Sequence, residues 1–171
     1  MTSQQEVYLA IGGNTSPRKK FIIDSLAILK KTFPQGFHSS CLYLTEPFLR
    51  KVQPYYYNCC VLFFSDIQSD ELLKITSSIE LSLGRERDGT KWQTRTIDID
   101  ILLVGQQVVE KPNLAIPHYD LLNRDFFLIP LLELNNDLTY PLTGKALSDY
   151  LEEIPEEKRT HPLKLFKPTY F

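Results

Sequence analysis

Apolar residues fall along this chain in short runs and in helical stripes, most of them closed by glycine or proline. Val7-Tyr8-Leu9-Ala10-Ile11 is continuously apolar and stops at Gly12-Gly13-Asn14, which predicts a buried strand over residues 6–11 and then a turn. Ser16-Pro17 has the form of an N-cap followed by proline at the first helical position, and Ile22, Leu26, Leu29 and Phe33 continue at helical spacing until Pro34. A second strand is expected over 37–44 and a third over 57–64. The connection between them, 45–55, carries Pro47 and Pro54 and is long enough to suggest a functional loop. Ser69 can cap a second helix with the stripe Leu72, Ile75, Ile79 and Leu83, and Gly84 stands where a C-cap is expected. The charged segment 85–95 has no apolar period. A fourth strand follows over 96–104, then a turn at Gly105 and a short strand at Val108-Val109. Beyond Pro117 the pattern predicts short helical pieces broken at Pro130 and a helix near 143–151. The charged, proline-punctuated tail from Pro155 is given no element.

Strand-helix-strand-strand-helix-strand is the order of an α+β fold of the ferredoxin-like type. That means an antiparallel sheet with helices packed on one face and additions at the C-terminal end. The 171 residues suit a single catalytic domain, with a core of about 6–151 and a tail over 152–171. The order alone does not indicate an activity.

Charge narrows the choice of ligand. Nineteen basic residues against 21 acidic ones leave a net charge of −2. Binding governed by nucleic-acid phosphates requires a basic excess or stripe, so the expectation is a small ligand and no nucleic acid. Cys41, Cys59 and Cys60 are odd in number and lack metal-ligand spacing, and Cys59 and Cys60 should point to opposite faces of a strand. They read as reduced, packed thiols in a reducing compartment. The first residues are polar, and no stretch approaches the roughly 20 apolar residues that span a bilayer. A cytoplasmic protein without membrane attachment is expected.

In Ile97-Asp98-Ile99-Asp100-Ile101 the isoleucines share one face of a strand and the aspartates the other, with the two aspartate backbone positions roughly 6.6 Å apart. Two such carboxylates can converge on one hard cation, or bridge two cations about 3.5–4 Å apart. They could equally form the solvent-facing edge of an amphipathic strand. Aspartate is depleted in strands, and Arg85, Arg87, Lys91 and Arg95 precede the pair in a loop able to fold over it. Both facts favour a centre for phosphate chemistry. Each of these cations could also be a solvated charge at a helix end. Gly12-Gly13-Asn14 lacks the lysine of a Walker loop. Tyr56 and Asn58 share a strand face, an aromatic plane beside an amide that suits a flat heterocycle or a packed strand end. His118 could be a structural histidine, and Trp92 in the charged loop suits a stacking or lid role.

Glu80, Gly84-Arg85-x-Arg87, Lys91-Trp92-x-x-Arg95-Thr96-x-Asp98-x-Asp100-Ile101, Pro117-His118 and Arg124-x-Phe126 together closely resemble the 6-hydroxymethyl-7,8-dihydropterin pyrophosphokinases of folate synthesis. The likeness starts at Tyr8 and runs through Tyr43-x-Thr45-x-Pro47 and Gln53-Pro54-x-x-x-Asn58 to Pro130-Leu131. It implies a ferredoxin-like monomer that moves the β,γ-pyrophosphoryl group of ATP to the pterin hydroxymethyl oxygen and releases AMP. By the same resemblance Asp98 and Asp100 would hold two magnesium ions, with Arg85 and Arg95 acting on the phosphates. Glu80, Arg87, Trp92, Arg95, Ile101, His118, Tyr119 and Arg124 would bind nucleotide. Tyr56 and Phe126 would sandwich the pterin, with Thr45, Pro47, Phe48, Asn58, Trp92 and Asp98 completing its site. Asp100 is the candidate general base. Lys91-Trp92-Gln93-Thr94-Arg95 stands where the family usually has Arg-Trp-Gly-Pro-Arg, which alters the loop's turns and a bidentate phosphate contact. The rival readings are a metal-dependent nucleotidyltransferase on nucleic acid and a non-catalytic ferredoxin-like binding module.

Overall fold

The computed structural model of the protein describes residues 4–48, 52–85 and 96–170. Its centre is strand β1, Gln5–Gly13, antiparallel on one side to β4, Tyr56–Ser65, and on the other to β5, Asp98–Val104. The short strands β2, His38–Ser39, and β3, Tyr43–Thr45, pair with the far edge of β4, and β3 also pairs with β8, Leu163–Lys164. A separate hairpin is formed by β6, Val109–Lys111, and β7, Leu114–Ile116. The expected α+β class with an antiparallel sheet is therefore present.

Helices cover both faces of the sheet, not one. Helices α1, Arg18–Thr32, and α2, Ser69–Ser82, bury Ile22, Leu26, Leu29, Leu72 and Ile79 against Val7, Leu9, Ile11, Val61 and Phe63. On the opposite face α3, Asp125–Leu134, and α4, Leu147–Glu153, pack Phe127, Leu128, Leu131 and Leu147 against Tyr8, Ala10, Cys60, Leu102 and Leu103. The cause lies in β1, whose residues 7–11 are all buried. A strand without polar alternation needs cover on both sides.

Several local expectations give way. Ser16 does not cap α1, which follows Pro17 without a side-chain cap. Ser69 is the first residue of α2 and donates instead to Gln107 Oε1 at 2.9 Å. The strand expected over 37–44 is split, and at the break Ser40 Oγ accepts from the Cys60 amide at 2.9 Å. Pro130 lies inside α3 without ending it. Proline costs about 3 kcal/mol in a helix interior. The burial of Phe127, Leu128 and Leu131, at about 1.5–3 kcal/mol each, outweighs that cost. The tail also has structure: a 3-10 turn at Glu156–Lys158, strand β8, and a buried Thr160. Its anchors are contacts distant in sequence, which leave no local period.

The isoleucine-aspartate alternation behaves as expected. Ile97, Ile99 and Ile101 enter the α1/α2 core, while Asp98 and Asp100 point to the α3 side. A bulge between residues 8 and 9 of β1 then makes Leu102 the extra residue of β5. Leu102 and Leu103 consequently both join the α3 core.

Candidate active site

Register across the sheet builds the site's floor. Gly12 of β1 pairs with Asp98 on one side and Asn58 on the other, and Ala10 pairs with Asp100 and Cys60. Gly12 thus lies between Asp98 and the Asn58 amide, and Ala10 between Asp100 and Cys60, leaving an open cleft above the sheet. An added Cβ at Gly12 would meet Asn58 Oδ1 at 2.4 Å. Asn58 is buried and donates through Nδ2 to Thr45 Oγ1 at 2.6 Å. Tyr56, two residues earlier on the same face, donates its hydroxyl to Gln53 Oε1 at 3.0 Å.

The opposite wall comes from the start of α3 and the loop after β3. Phe48 and Phe126 meet edge to face at 6.1 Å, and the Arg124 guanidinium lies over Phe48, Phe126 and Phe127 at 5.7, 5.5 and 5.1 Å. Arg124 Nη2 also donates to Asp120 Oδ2 at 2.6 Å.

At the aspartates, positive and polar groups converge. Arg85 Nη1 donates to Asp98 Oδ1 at 2.6 Å and is ion-paired with Glu80. Glu80 is only 3 % exposed and lies behind the strand, where its Oε1 accepts the Ile99 amide at 2.7 Å. His118 Nε2 stands 3.6 Å from Asp100 Oδ1. Its Nδ1 accepts the Asp120 amide at 3.1 Å, which leaves the proton of the neutral ring on Nε2, toward Asp100. The His118 ring stacks on Tyr119 at 4.5 Å.

Asp100 also lines a second cleft, with Ile101, Leu73, Lys111, Asn113, His118 and Tyr119. The two clefts therefore meet at one carboxylate. The side chains of Asp98 and Asp100 are 22 % and 27 % exposed, and both offer hard oxygen donors to the first cleft. This donor set fits a small hard cation such as magnesium. Cys60, on the α3 side of the sheet beside Ala10 and Phe127, is buried, and burial pushes its thiol pKa well up, with further rises from Cys59, Glu133 and Asp100.

Residues 8–136 match the family of 7,8-dihydro-6-hydroxymethylpterin-pyrophosphokinases. The chain belongs to that family. Its members are the pyrophosphokinases of folate synthesis. The chain is 36 % identical over 156 residues to the 2-amino-4-hydroxy-6-hydroxymethyldihydropteridine pyrophosphokinase of Pseudomonas aeruginosa, covering 90 % of this chain and 94 % of that one. The Haemophilus influenzae enzyme of the same name is 30 % identical over 152 residues, covering 88 % and 94 %. The chain also aligns with the Folic acid synthesis protein fol1 of Pneumocystis carinii at 34 % identity, over 88 % of this chain but a fifth (20 %) of that longer protein. A crystal structure of an HPPK-DHPS protein in complex with substrates shares the fold, with a TM-score of 0.68 at 13 % identity, over 89 % of this chain and 43 % of that one.

Of the family positions expected from sequence, Thr45, Pro47, Phe48, Tyr56, Asn58, Asp98, Asp100 and Phe126 line the first cleft. Ile101, His118 and Tyr119 line the second with Asp100. Arg124, expected on the nucleotide, stands in the first cleft among the aromatic rings, and Glu80 lines neither. Arg87, Lys91, Trp92 and Arg95 lie outside the described residues. The motifs carry Gly12 and Gln53, but sequence reasoning assigned no site role to them or to Glu46 in the first cleft, nor to Lys111 and Asn113 in the second. Gly12 was visible as a turn signal. Its value is its lack of a side chain between two strands, which is a property of register.

Proposed function

We propose that the protein transfers the β,γ-pyrophosphoryl group of ATP to the hydroxymethyl oxygen of 6-hydroxymethyl-7,8-dihydropterin, releasing AMP. The observation that carries this reading is the meeting of two clefts at Asp100, one aromatic and amide-lined, the other beside His118 and Tyr119. A reaction between two bound substrates requires that junction. The sheet order β5-β1-β4-β3 supports a ferredoxin-like arrangement with C-terminal additions. Among the described residues no helix is long and apolar enough to cross a membrane. We read the chain as a single catalytic domain acting as a monomer.

In this mechanism Tyr56 and Phe126 hold the pterin ring between them, and Asn58, fixed by Thr45, reads its polar edge. Pro47 and Phe48 close the wall. Ile101 packs on the adenine, and His118 and Tyr119 receive the phosphates from the second cleft. Asp98 and Asp100 would hold magnesium, which would screen phosphate charge and bring the hydroxyl and phosphate chain together. Asp100 accepts the proton from the hydroxymethyl oxygen as that oxygen bonds to the β-phosphorus. The bridge between the α- and β-phosphorus breaks, and AMP carries away the bridging oxygen. Arg85 exchanges its bond to Asp98 for the transferring phosphates, whose growing charge it stabilises. Arg87, Lys91, Trp92, Arg95 and Arg124 complete the phosphate and ring contacts and exclude water, the competing acceptor.

The direct test is Asp98→Ala and Asp100→Ala. Each should keep the fold by circular dichroism and lose turnover by at least about 100-fold, as expected for removal of one well-placed transition-state contact. Near-wild-type turnover in either variant would remove the carboxylates from the mechanism.

A further inference from the structure

The tail is anchored beside the first cleft by one buried residue. Asp125, the first residue of α3, is 1 % exposed and spends both carboxylate oxygens on the tail. Its Oδ1 accepts Thr160 Oγ1 at 2.7 Å, and its Oδ2 accepts the Thr160 amide at 2.7 Å and the His161 amide at 3.2 Å. His161 takes a positive φ of 46°, a conformation costly for a residue with a side chain. It turns two successive amides onto one anion, the geometry of a backbone nest. Thr160, itself 2 % exposed, then accepts the Glu46 amide on its carbonyl at 3.2 Å.

These bonds tie the start of α3 to the segment that leads from β3 into the aromatic wall. Glu46 lies between Thr45, which holds Asn58, and Pro47-Phe48. Asp125 lies between Arg124 and Phe126. All of these except Asp125 line the cleft, and Phe48 and Phe126 meet edge to face at 6.1 Å. Neither Asp125 nor Thr160 lines the cleft.

We propose that Asp125 and Thr160 form a clasp that sets the spacing of the aromatic wall and the amide wall, making both positioning residues for the flat heterocycle. The inference rests on the pterin reading of that cleft. A buried carboxylate with three donors from one tail segment is a fixed anchor, since a loosened partner would leave a charge buried without its hydrogen bonds. The tail then acts as a strut of the binding site.

Thr160→Val keeps the side chain's volume and removes the Oγ1 bond, Thr160→Ser restores it, and Asp125→Asn tests the other half. In the full chain Thr160→Val should raise the pterin KM about five- to tenfold, the worth of one lost hydrogen bond, with kcat and the ATP KM changed less than about twofold. Thr160→Ser should return the pterin KM toward wild type. Hydrogen exchange at the Glu46 amide should speed up in Thr160→Val and in Asp125→Asn, whatever the substrate. A wild-type protein without pterin-dependent turnover would sink the functional reading, and unchanged Glu46 exchange would sink the clasp independently of it. An active enzyme whose Thr160→Val form melts lower but keeps its pterin KM would reduce the clasp to a fold contact. If Thr160→Val does not fold, Asp125→Asn decides by the same two readouts.

Discussion

Gly12→Ala adds one methyl group where the structure leaves no room for it. Gly12 lies outside the positive-φ region, so the backbone accepts alanine and the effect is steric. The new Cβ would stand 2.4 Å from Asn58 Oδ1, where ordinary contact begins at 3.4 Å, so Asn58 must withdraw by about 1.0 Å (3.4 minus 2.4). Asn58 is buried and held at 2.6 Å from Thr45 Oγ1, and a shift of that size breaks the bond unless Thr45 follows. Overpacking costs about 1–3 kcal/mol and the hydrogen bond about 1 kcal/mol. The sum of about 2–4 kcal/mol lowers Tm by roughly 4–16 °C in a chain of this size. In steady-state kinetics with each substrate varied in turn, the pterin KM should rise about tenfold or more while the ATP KM stays within about twofold. A Gly12→Ala enzyme with a wild-type pterin KM would show that Asn58 does not read the pterin.

Other expectations follow from the ionisable groups. Burial pushes the Cys59 thiol up to about 12 from its usual 9.0, and raises Cys60, Tyr8 and Tyr43 as well. Stability from Cys59 is complete below its unfolded pKa of 9.0 and is lost as pH rises from there to about 12, and the other raised groups extend the loss to higher pH. Denaturant midpoints should therefore fall across that alkaline window, and a flat profile would contradict the burial. At acid pH the reverse sign holds for Glu133. Burial alone would raise its pKa, but bonds from Tyr43 and Cys41, with Lys164 nearby, together hold it below 4.5. Its contribution is present above the unfolded value and lost as pH falls through the folded one, so Glu133→Gln should flatten the acid limb of the stability profile. Among the thiols, Cys41 is partly exposed while Cys59 and Cys60 are buried, and all three are free. A thiol reagent should modify Cys41 first in the native protein and all three after unfolding; simultaneous labelling would refute the burial.

The sheet's main strands, both long helices and the two-faced character of Asp98 and Asp100 were legible because their periods are local. The apolar run at residues 7–11 already carried the information that β1 is buried on both faces, but the order of elements suggested helices on one face only. Pro130 and the tail were misread for a common reason. Packing by Phe127, Leu128 and Leu131 outweighs proline's cost, and Asp125 anchors Thr160 across 35 residues. Neither leaves a period in the sequence. In the site, the family motifs indicated which residue types matter. The division into two clefts, the Gly12 gap and the burial of Glu80 depend on register and burial, which no local pattern encodes.

The central claim is that a pyrophosphoryl group crosses between the clefts at Asp100. Incubation with ATP, magnesium and 6-hydroxymethyl-7,8-dihydropterin, followed by separation of the nucleotide products, tests it most directly. The predicted result is AMP, formed in equal amount with pterin diphosphate and only when the pterin is present. Formation of ADP, or of AMP at the same rate without the pterin, would contradict the claim.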